Sequence, residues 1–435
     1  MLYNFIVFVV LSLPIVSVSK IFFSMDAFSL IFDVIFIFAL FVLIFTRKIN
    51  NNSSAFFWFF CLTFVFSFSF FIKNEIPNMY DKIAAFRLSA IFTYAFFIPF
   101  FLKRVEYYKL IMHLPKIIMI VGLVVSVNGI RQWVYPFSSE LAFADLAGGA
   151  AKFYGDAYQG SQNAFRIYSF FITSVHLVVF LSFAFYVALS RALYRIGDTF
   201  FNYTSLILTF ICIILTYSRT GYLAFFVGLF FFFPVFMKTS GVKSISTIIL
   251  VLVGFSLLGY IFYSSNSLFQ SRLTALSNVQ EVSAFDSRLM VWSSRWTDIL
   301  SNPLGFGVGS AGWNVQEAMG LGVDSNYLKP IVELGWIGGG FYLLFIFSIT
   351  FKSIFNYIKH IHFSAEYTFI SKDIMFLVYP SFVFCCLVHM VTNQILEAYP
   401  INLLFWLISG FMWFESGISK KPRLKVHNKA ECIYK

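Results

Sequence analysis

The sequence predicts an all-α polytopic membrane protein, and three observations carry that prediction. Apolar residues make up 59% of the chain and charged residues only 12%. The mean hydropathy is +0.81. The apolar residues also gather in runs long enough to cross a bilayer as helices. A length of 435 residues would otherwise suggest two or three soluble domains. Soluble proteins carry roughly 25% charged residues, and no water-soluble fold hides 62 Phe side chains, so lipid is the solvent for most of this chain. Residues 1–435 are therefore read as a single integral membrane domain. Disorder, collagen, coiled coil and a disulfide scaffold are excluded by the same composition.

A spanning helix needs about 20 mostly apolar residues. Twelve stretches qualify: 3–19, 27–46, 55–72, 83–102, 112–130, 169–190, 200–217, 222–237, 244–263, 331–351, 373–393 and 400–417. The first lacks a basic leader and a small-x-small cleavage site, and a second span follows at once, so it reads as a span and not as a signal peptide. The stretch 222–237 is short and follows a tight glycine-containing turn. Lys and Arg collect on the cytoplasmic side of membrane proteins. With both termini placed in the cytoplasm, 19 of the 31 basic residues fall inside, and the acids divide the other way. The net charge of +11 is thus a topology signal. A nucleic-acid binder would carry its charge on one basic face or domain, and no such domain is visible, so no nucleic-acid partner is expected.

Two outward loops are long, 131–168 and 264–330, and an asymmetry of this kind points to function in those loops. Cys61, Cys212, Cys385, Cys386 and Cys432 lie in or beside apolar segments without metal-ligand spacing and read as small hydrophobes. HExxH, CxxC, P-loop and GxSxG patterns are all missing from the sequence, so no metal and no cofactor are expected.

The long loops and their borders hold the chemistry-bearing residues. Segment 286–303 reads DSRLMVWSSRWTDILSNP. Asp286 or Ser287 suits a helix cap and Asn302-Pro303 a stop. Arg288 and Arg295 then share a face two turns apart, with Trp292 between them. Two readings fit: guanidinium groups set for bidentate phosphate recognition, or an interfacial helix anchored by Trp with its arginines reaching to water. The following NPLGFGVGSAG matches G-x-G-x-x-G through Gly307, Gly309 and Gly312. A dinucleotide site needs a strand before it, inside a βαβ unit, so this reads as a flexible turn. In VDSNYLKPIVELGWIGGG, Asp324 suits either a helix cap or a functional role, and the helix start favours bound anions. Lys329 stands four residues before Glu333, so a salt bridge is expected there. Arg166 ends the first long loop, in NAFRIYSFF. Arg219 sits at an outward turn, in TYSRTGYLAF. Together with Arg272 and Arg288 they place four arginines on the outward side, and their shared use would be to hold an anionic lipid head group. A departing pyrophosphate needs several fixed positive donors. His176, about two turns into a span, is a functional candidate or a packing residue; His389 is a weaker one.

These segments, in this order, resemble the O-antigen polymerase/ligase superfamily, the Wzy polymerases and WaaL ligases. FRIYSFF with Arg166 is similar to the arginine that ends that family's first large loop, and SRTGYLAF with Arg219 to its S-R-x-G turn. SRLMVWSSRWTDILSNPLGFGVG with Arg288 is similar to its arginine-to-NPxxGxG stretch. DSNYLKPIVELG is similar to its H-[ST]-N-x-x-L segment, with Asn326 retained, Leu328 displaced by one position, and Asp324 where the ligase branch has His. The resemblance implies about twelve spans in a glycosyltransferase-C-like helical fold. It also implies a polymerase that joins undecaprenyl-pyrophosphate-linked oligosaccharide repeats at the periplasmic face, with neither metal nor nucleotide. Arg166, Arg219 and Arg288 would stabilise the leaving pyrophosphate, with Arg272 and Arg295 as second choices. Asp324 would act on the acceptor hydroxyl, with His176 as the alternative, and Asn326 and Trp292 would contact substrate. Trp296 and Trp313 suit sugar stacking or interface anchoring equally. Membrane lipid and a chain-length regulator are the implied partners. A ligase acting on lipid A-core and a lipid-linked oligosaccharide transporter are the other readings. A transporter would show repeat-related halves and polar groups near the midplane, and neither is visible.

Overall fold

The computed structural model describes residues 12, 34–38, 40–42, 53–71, 75–76, 78–140, 167–171, 173–194, 196–232, 283–312, 321–363 and 370–418. The expected spans 3–19 and 244–263 lie outside the described residues, apart from residue 12, and 27–46 is described only in part. Every regular element among the described residues is helical: α1 (Ser53–Phe71), α2 (Met79–Ser89), a 3-10 stretch (Ile91–Phe97), α3 (Ile98–Phe101), α4 (Arg104–Val134), α5 (Ser174–Leu193), α6 (Thr199–Leu215), α7 (Arg219–Phe230), α8 (Ser283–Ser301), α9 (Leu328–Phe363), α10 (Ile370–Met390), a 3-10 turn (Ile395–Glu397) and α11 (Ile401–Ile418). Five stretches are long and apolar enough to cross a membrane: Ser54–Phe71, Met79–Phe101, Val105–Val134, Ser174–Leu193 and Leu328–Phe355. Four more apolar helices, Thr199–Leu215, Arg219–Phe230, Leu377–Met390 and Ile401–Glu415, are shorter. The protein is an all-α polytopic membrane protein.

Side-chain placement names the solvent. On α1, Phe57, Phe60, Phe64 and Phe71 are 56–78% exposed while Leu62, Phe66 and Ser69 are buried. An exposed face built of Phe belongs in lipid, not in water. Helix α5 runs through the centre, and Leu177–Ser190 are all buried, as expected of a helix that is apolar all round. It packs on α4, α6, α7 and α10, while α11 packs on the 3-10 stretch, α9 and α10. Phe183 stacks on Phe382 at 4.3 Å, and Phe345 stacks on Trp406 at 5.6 Å. Helix α10 is the wall shared by these two groups.

The boundaries differ from expectation in several places, and α9 runs on to Phe363, into the expected inner loop 352–372. The run 83–102 is not one straight helix but α2, the 3-10 stretch and α3, with Pro99 at the start of α3. The expected inner loop 103–111 is instead the first two turns of α4. Lys103 N–H donates to Glu106 Oε2 at 3.2 Å, and the buried Tyr107 hydroxyl donates to Glu415 Oε2 at 3.1 Å, so the charged residues start the helix and do not interrupt it. The basic residues Lys103, Arg191 and Lys352 stand at the end of the bundle opposite the long loops. There Arg191 Nε donates to Asn202 Oδ1 at 3.3 Å, and Lys352 Nζ lies 3.3 Å from the Trp413 ring centre. The other end, the loop end, carries the residues singled out from the sequence.

Candidate functional site

At the loop end the borders of the first long loop are tied together. Arg131, in the last turn of α4, grips the buried Glu140 with both terminal nitrogens, at 2.7 and 2.5 Å, and the Tyr168 hydroxyl donates to the Glu140 carbonyl at 2.6 Å. Gln132 is fully buried, and its side-chain oxygen accepts two successive backbone N–H groups, Tyr168 at 3.0 Å and Ser169 at 2.8 Å. That arrangement needs Ser169 in the left-handed region, at φ 50. Arg166 lies outside the described residues, but its neighbour Ile167 donates its N–H to the Leu215 carbonyl at 3.4 Å. The FRIYSFF segment therefore meets the turn that carries Arg219. That turn is strained too, with Tyr217 at φ 49; non-glycine residues held there cluster at functional sites.

Ser218 caps α7, its hydroxyl accepting from Gly221 N–H at 3.2 Å. Arg219 is thereby the first residue of α7. It is half-buried, and it has no hydrogen-bond or ion-pair partner among the described residues. Next to it, Thr220 Oγ1 accepts from Asn393 Nδ2 at 3.4 Å. The start of α5 lies alongside: a Cβ on Gly221 would stand 2.6 Å from Val178. His176 is in the first turn of α5, its N–H held by the Thr173 cap at 3.3 Å. His389, in the last turn of α10, is the electrostatic neighbour of His176. It is 0% exposed, and neither ring nitrogen has a hydrogen-bond partner among the described residues. Two helix starts and an arginine thus converge where positive potential favours an anion.

The second long loop approaches from the other side. Helix α8 forms and stops at Ser301 as expected, but it begins at Ser283, so Asp286 and Ser287 lie within it and not at its cap. It docks through the buried Ile299, whose carbonyl accepts from Trp336 Nε1 at 3.1 Å, and through Trp296, 6.3 Å from the Trp336 ring. Met290 and Leu300 remain 71% and 67% exposed, which suits an interfacial helix. Arg295 donates to Asp298 Oδ2 at 2.8 Å, so part of its charge is already matched. Trp292 is half-buried, its Nε1 lacking an acceptor among the described residues. The Arg288 side chain, and all of Arg272 and Trp313, lie outside the described residues.

The glycine run is not a flexible turn. Phe306 N–H donates to the Val332 carbonyl at 3.1 Å, Gly307 to Glu333 at 2.9 Å, and Trp336 to Pro303 at 3.0 Å. Gly305 and Gly335 sit at φ 77 and 70, and a Cβ on Gly335 would lie 2.1 Å from the Pro303 carbonyl oxygen. The glycines serve close backbone approach, not phosphate binding. Beyond them, the expected Lys329–Glu333 pair forms at 3.3 Å. Lys329 also reaches Glu397 and Ser89, partners that no local spacing announced.

Asp324 is half-buried at a bend four residues ahead of α9, and beside it Ser325 Oγ accepts from Tyr327 N–H at 3.2 Å. Ser325 Oγ also donates to the Met390 carbonyl at 3.3 Å, which places Asp324 beside the same end of α10 as His389. Asn326 is buried, and its side-chain oxygen accepts from Leu396 N–H at 3.1 Å; this serves the architecture. Thr220, next to Arg219, meets Asn393; Ser325, next to Asp324, meets Met390; and His176 neighbours His389, so the segments carrying these three residues each touch the end of α10. Among the described residues no three His, Cys, Asp or Glu side chains are grouped to hold a metal ion. A separate apolar cavity of about 230 Å³ lies between α1 and the 3-10 stretch, lined by Leu40, Phe59, Thr63, Tyr94, Phe97 and Phe101.

Residues 204–343, from α6 to the middle of α9, match the family model Wzy_C, described as O-Antigen ligase. Comparison with curated proteins gives no match.

Proposed function

We propose that the chain belongs to the O-antigen polymerase/ligase superfamily, a reading that the match over residues 204–343 supports, and that within it the chain is the polymerase. It joins undecaprenyl-pyrophosphate-linked oligosaccharide repeats at the outer face of the bacterial inner membrane. The observation that carries this reading is Arg219: a half-buried guanidinium at the start of α7, without a partner among the described residues, beside a second helix start and an unpaired buried imidazole. That is the chemistry of an anion site at the membrane boundary.

In the proposed reaction the glycosidic carbon of the donor loses its bond to the diphosphate as an acceptor hydroxyl bonds to it. The electron pair leaves with the diphosphate, and Arg219, with Arg166 and Arg288, offsets the charge that develops. The hydroxyl proton passes to Asp324, the carboxylate beside the end of α10, or to His176. The leaving group is already activated, so the reaction needs no nucleotide. Asp324, standing where the ligase branch carries His, favours the polymerase over transfer to lipid A-core. Deleting the gene separates the two: a polymerase mutant leaves lipid A-core bearing one repeat, and a ligase mutant leaves it bearing none. Bare core in the deletion strain would overturn the polymerase assignment. Purified protein that moves lipid-linked repeats across a bilayer without joining them would replace both by a transporter.

A further inference from the structure

One ammonium is set between two carboxylates where α2, the turn 302–312, the start of α9 and the segment 391–400 meet. Lys329 Nζ lies 3.3 Å from Glu333 Oε1, donates to Ser89 Oγ at 2.7 Å, and donates to Glu397 Oε1. The Lys329, Glu333 and Glu397 side chains are 5%, 4% and 9% exposed. Glu333 Oε1 also accepts from Ala311 N–H at 3.3 Å, and Ser89 Oγ lies 3.4 Å from Glu397 Oε1. The turn is drawn in so closely that a Cβ on Gly312 would stand 2.9 Å from Glu397 Oε1. Gln394, three residues before Glu397, donates to the Ala311 carbonyl at 3.0 Å and to the Val323 carbonyl. An exposed ion pair orders little. A buried one behaves differently, because removing a partner leaves an uncompensated charge in low dielectric.

The cluster joins two parts of the candidate site. The turn 302–312 continues directly from α8, which carries Arg288, Trp292 and Arg295. The segment 391–400 follows the turn of α10 that carries His389, and its Asn393 reaches Thr220, next to Arg219. We propose that Lys329, Glu333 and Glu397 are positioning residues: their charge cluster fixes α8 relative to the Arg219 corner, so that arginines from both sides stand ready for one diphosphate. This rests on the polymerase/ligase reading of the site. Misplacing reacting groups by about 1 Å costs on the order of 10²-fold in rate, so a small shift of the turn is felt at the chemistry.

The test uses the full-length protein in lipid nanodiscs, with Glu397→Ala, Glu397→Gln and Gly312→Ala. Two readouts are taken: hydrogen–deuterium exchange over 302–312 and 216–221, and transfer between lipid-linked repeats at varied donor concentration. Glu397→Gln keeps an acceptor for Lys329 and Ser89, and its transfer rate stays within about threefold of wild type, the scale of one altered hydrogen bond. Glu397→Ala raises exchange over 302–312 but not over 216–221, and lowers kcat by about 10²-fold, more than it raises KM, because Arg219 still meets the donor. Gly312→Ala, which leaves every charge in place, moves both readouts the same way by less, and it decides the matter if Glu397→Ala does not fold. Wild-type kcat and KM in folded Glu397→Ala, or exchange raised equally over both segments, overturns the proposal. If the wild-type protein transfers no glycan, the functional reading fails, while the exchange contrast still decides whether the cluster holds the turn.

Discussion

Two polar corners flank the last turn of α10, and they are finished differently. Around Lys329 the polar groups are partnered: one ammonium, two carboxylates, a hydroxyl and a backbone N–H are linked by contacts of 3.4 Å or less. Around Arg219 they are not. His389 is wholly buried with both ring nitrogens unpaired, and Arg219 has no polar partner among the described residues. Buried polar groups in folded proteins are nearly always satisfied. A saturated cluster is therefore read as architecture, and an unsaturated one as a place where atoms of another molecule belong. The strained Ser169 and Tyr217, at φ 50 and 49, border the unsaturated corner.

The sharpest way to break this contrast is to remove the unpartnered guanidinium. Arg219→Ala is expected to lower glycan transfer by about 10²–10³-fold, the scale for deleting one preorganised donor to a developing negative charge, with the thermal midpoint of the detergent-solubilised protein almost unchanged. Arg219→Lys keeps the charge but loses the planar fork, and it recovers only part of the rate. Wild-type rates in both variants would mean that the corner is empty for some reason other than catalysis.

A smaller effect separates the two meanings of an unpaired imidazole. His389→Leu replaces a buried polar group that has no hydrogen-bond partner among the described residues with an apolar one of similar size. If His389 does nothing but fill space, the variant is more stable by about 1 kcal/mol, since a buried unsatisfied donor is costly, and its activity is unchanged. If the imidazole belongs to the anion corner, the same gain in stability comes with a fall in transfer of about 10²-fold, the lower end of effects for a proton-handling group, and this second outcome is the expected one. Thermal unfolding and rate measured on one preparation give both numbers. A gain in stability at full activity removes His389 from the site.

Much of this contrast was legible in the sequence, and the missing part has a common cause. Apolar runs of spanning length located the helices, because lipid leaves the backbone few alternatives to helix. Arg219 and Asp324 stood out as polar residues at the borders of apolar runs and His176 as one about two turns into a span, and the segments that carry them each touch the end of α10. Lys329–Glu333 was visible from its i,i+4 spacing. Glu397, Ser89, Gln394 and Gln132 were not, because each finds its partner across the bundle: Ser89 lies 240 positions from Lys329 and Glu397 lies 68 from it. Residues 391–400 looked like a short connection between two spans, yet they hold both corners together. The start of α4 was missed for a related reason. Lys103, Arg104, Glu106 and Lys109 look like a loop until Glu106 is seen to accept from the Lys103 N–H. The glycine run misled in the other direction, since glycine at a close backbone crossing and glycine in a mobile turn are the same letter.

The smallest effect tests whether α8 belongs to the saturated or the unsaturated side. Arg295 is matched by Asp298 at 2.8 Å, with side chains 20% and 35% exposed, so the pair contributes no more than about 0.5 kcal/mol to stability. Asp298→Ala releases a guanidinium on the helix that also carries Arg288 and Trp292. If α8 faces a bound diphosphate, the freed charge adds to the attraction for it, and KM for the lipid-linked donor falls by about twofold, the order of a partly screened surface interaction. If α8 serves only to seat the protein at the membrane interface, KM is unmoved. The distinction is cleaner at low ionic strength, where an exposed charge is screened least. An effect that disappears in salt while transfer by the wild-type protein persists would place Arg295 at the rim of the site and leave the diphosphate to Arg219.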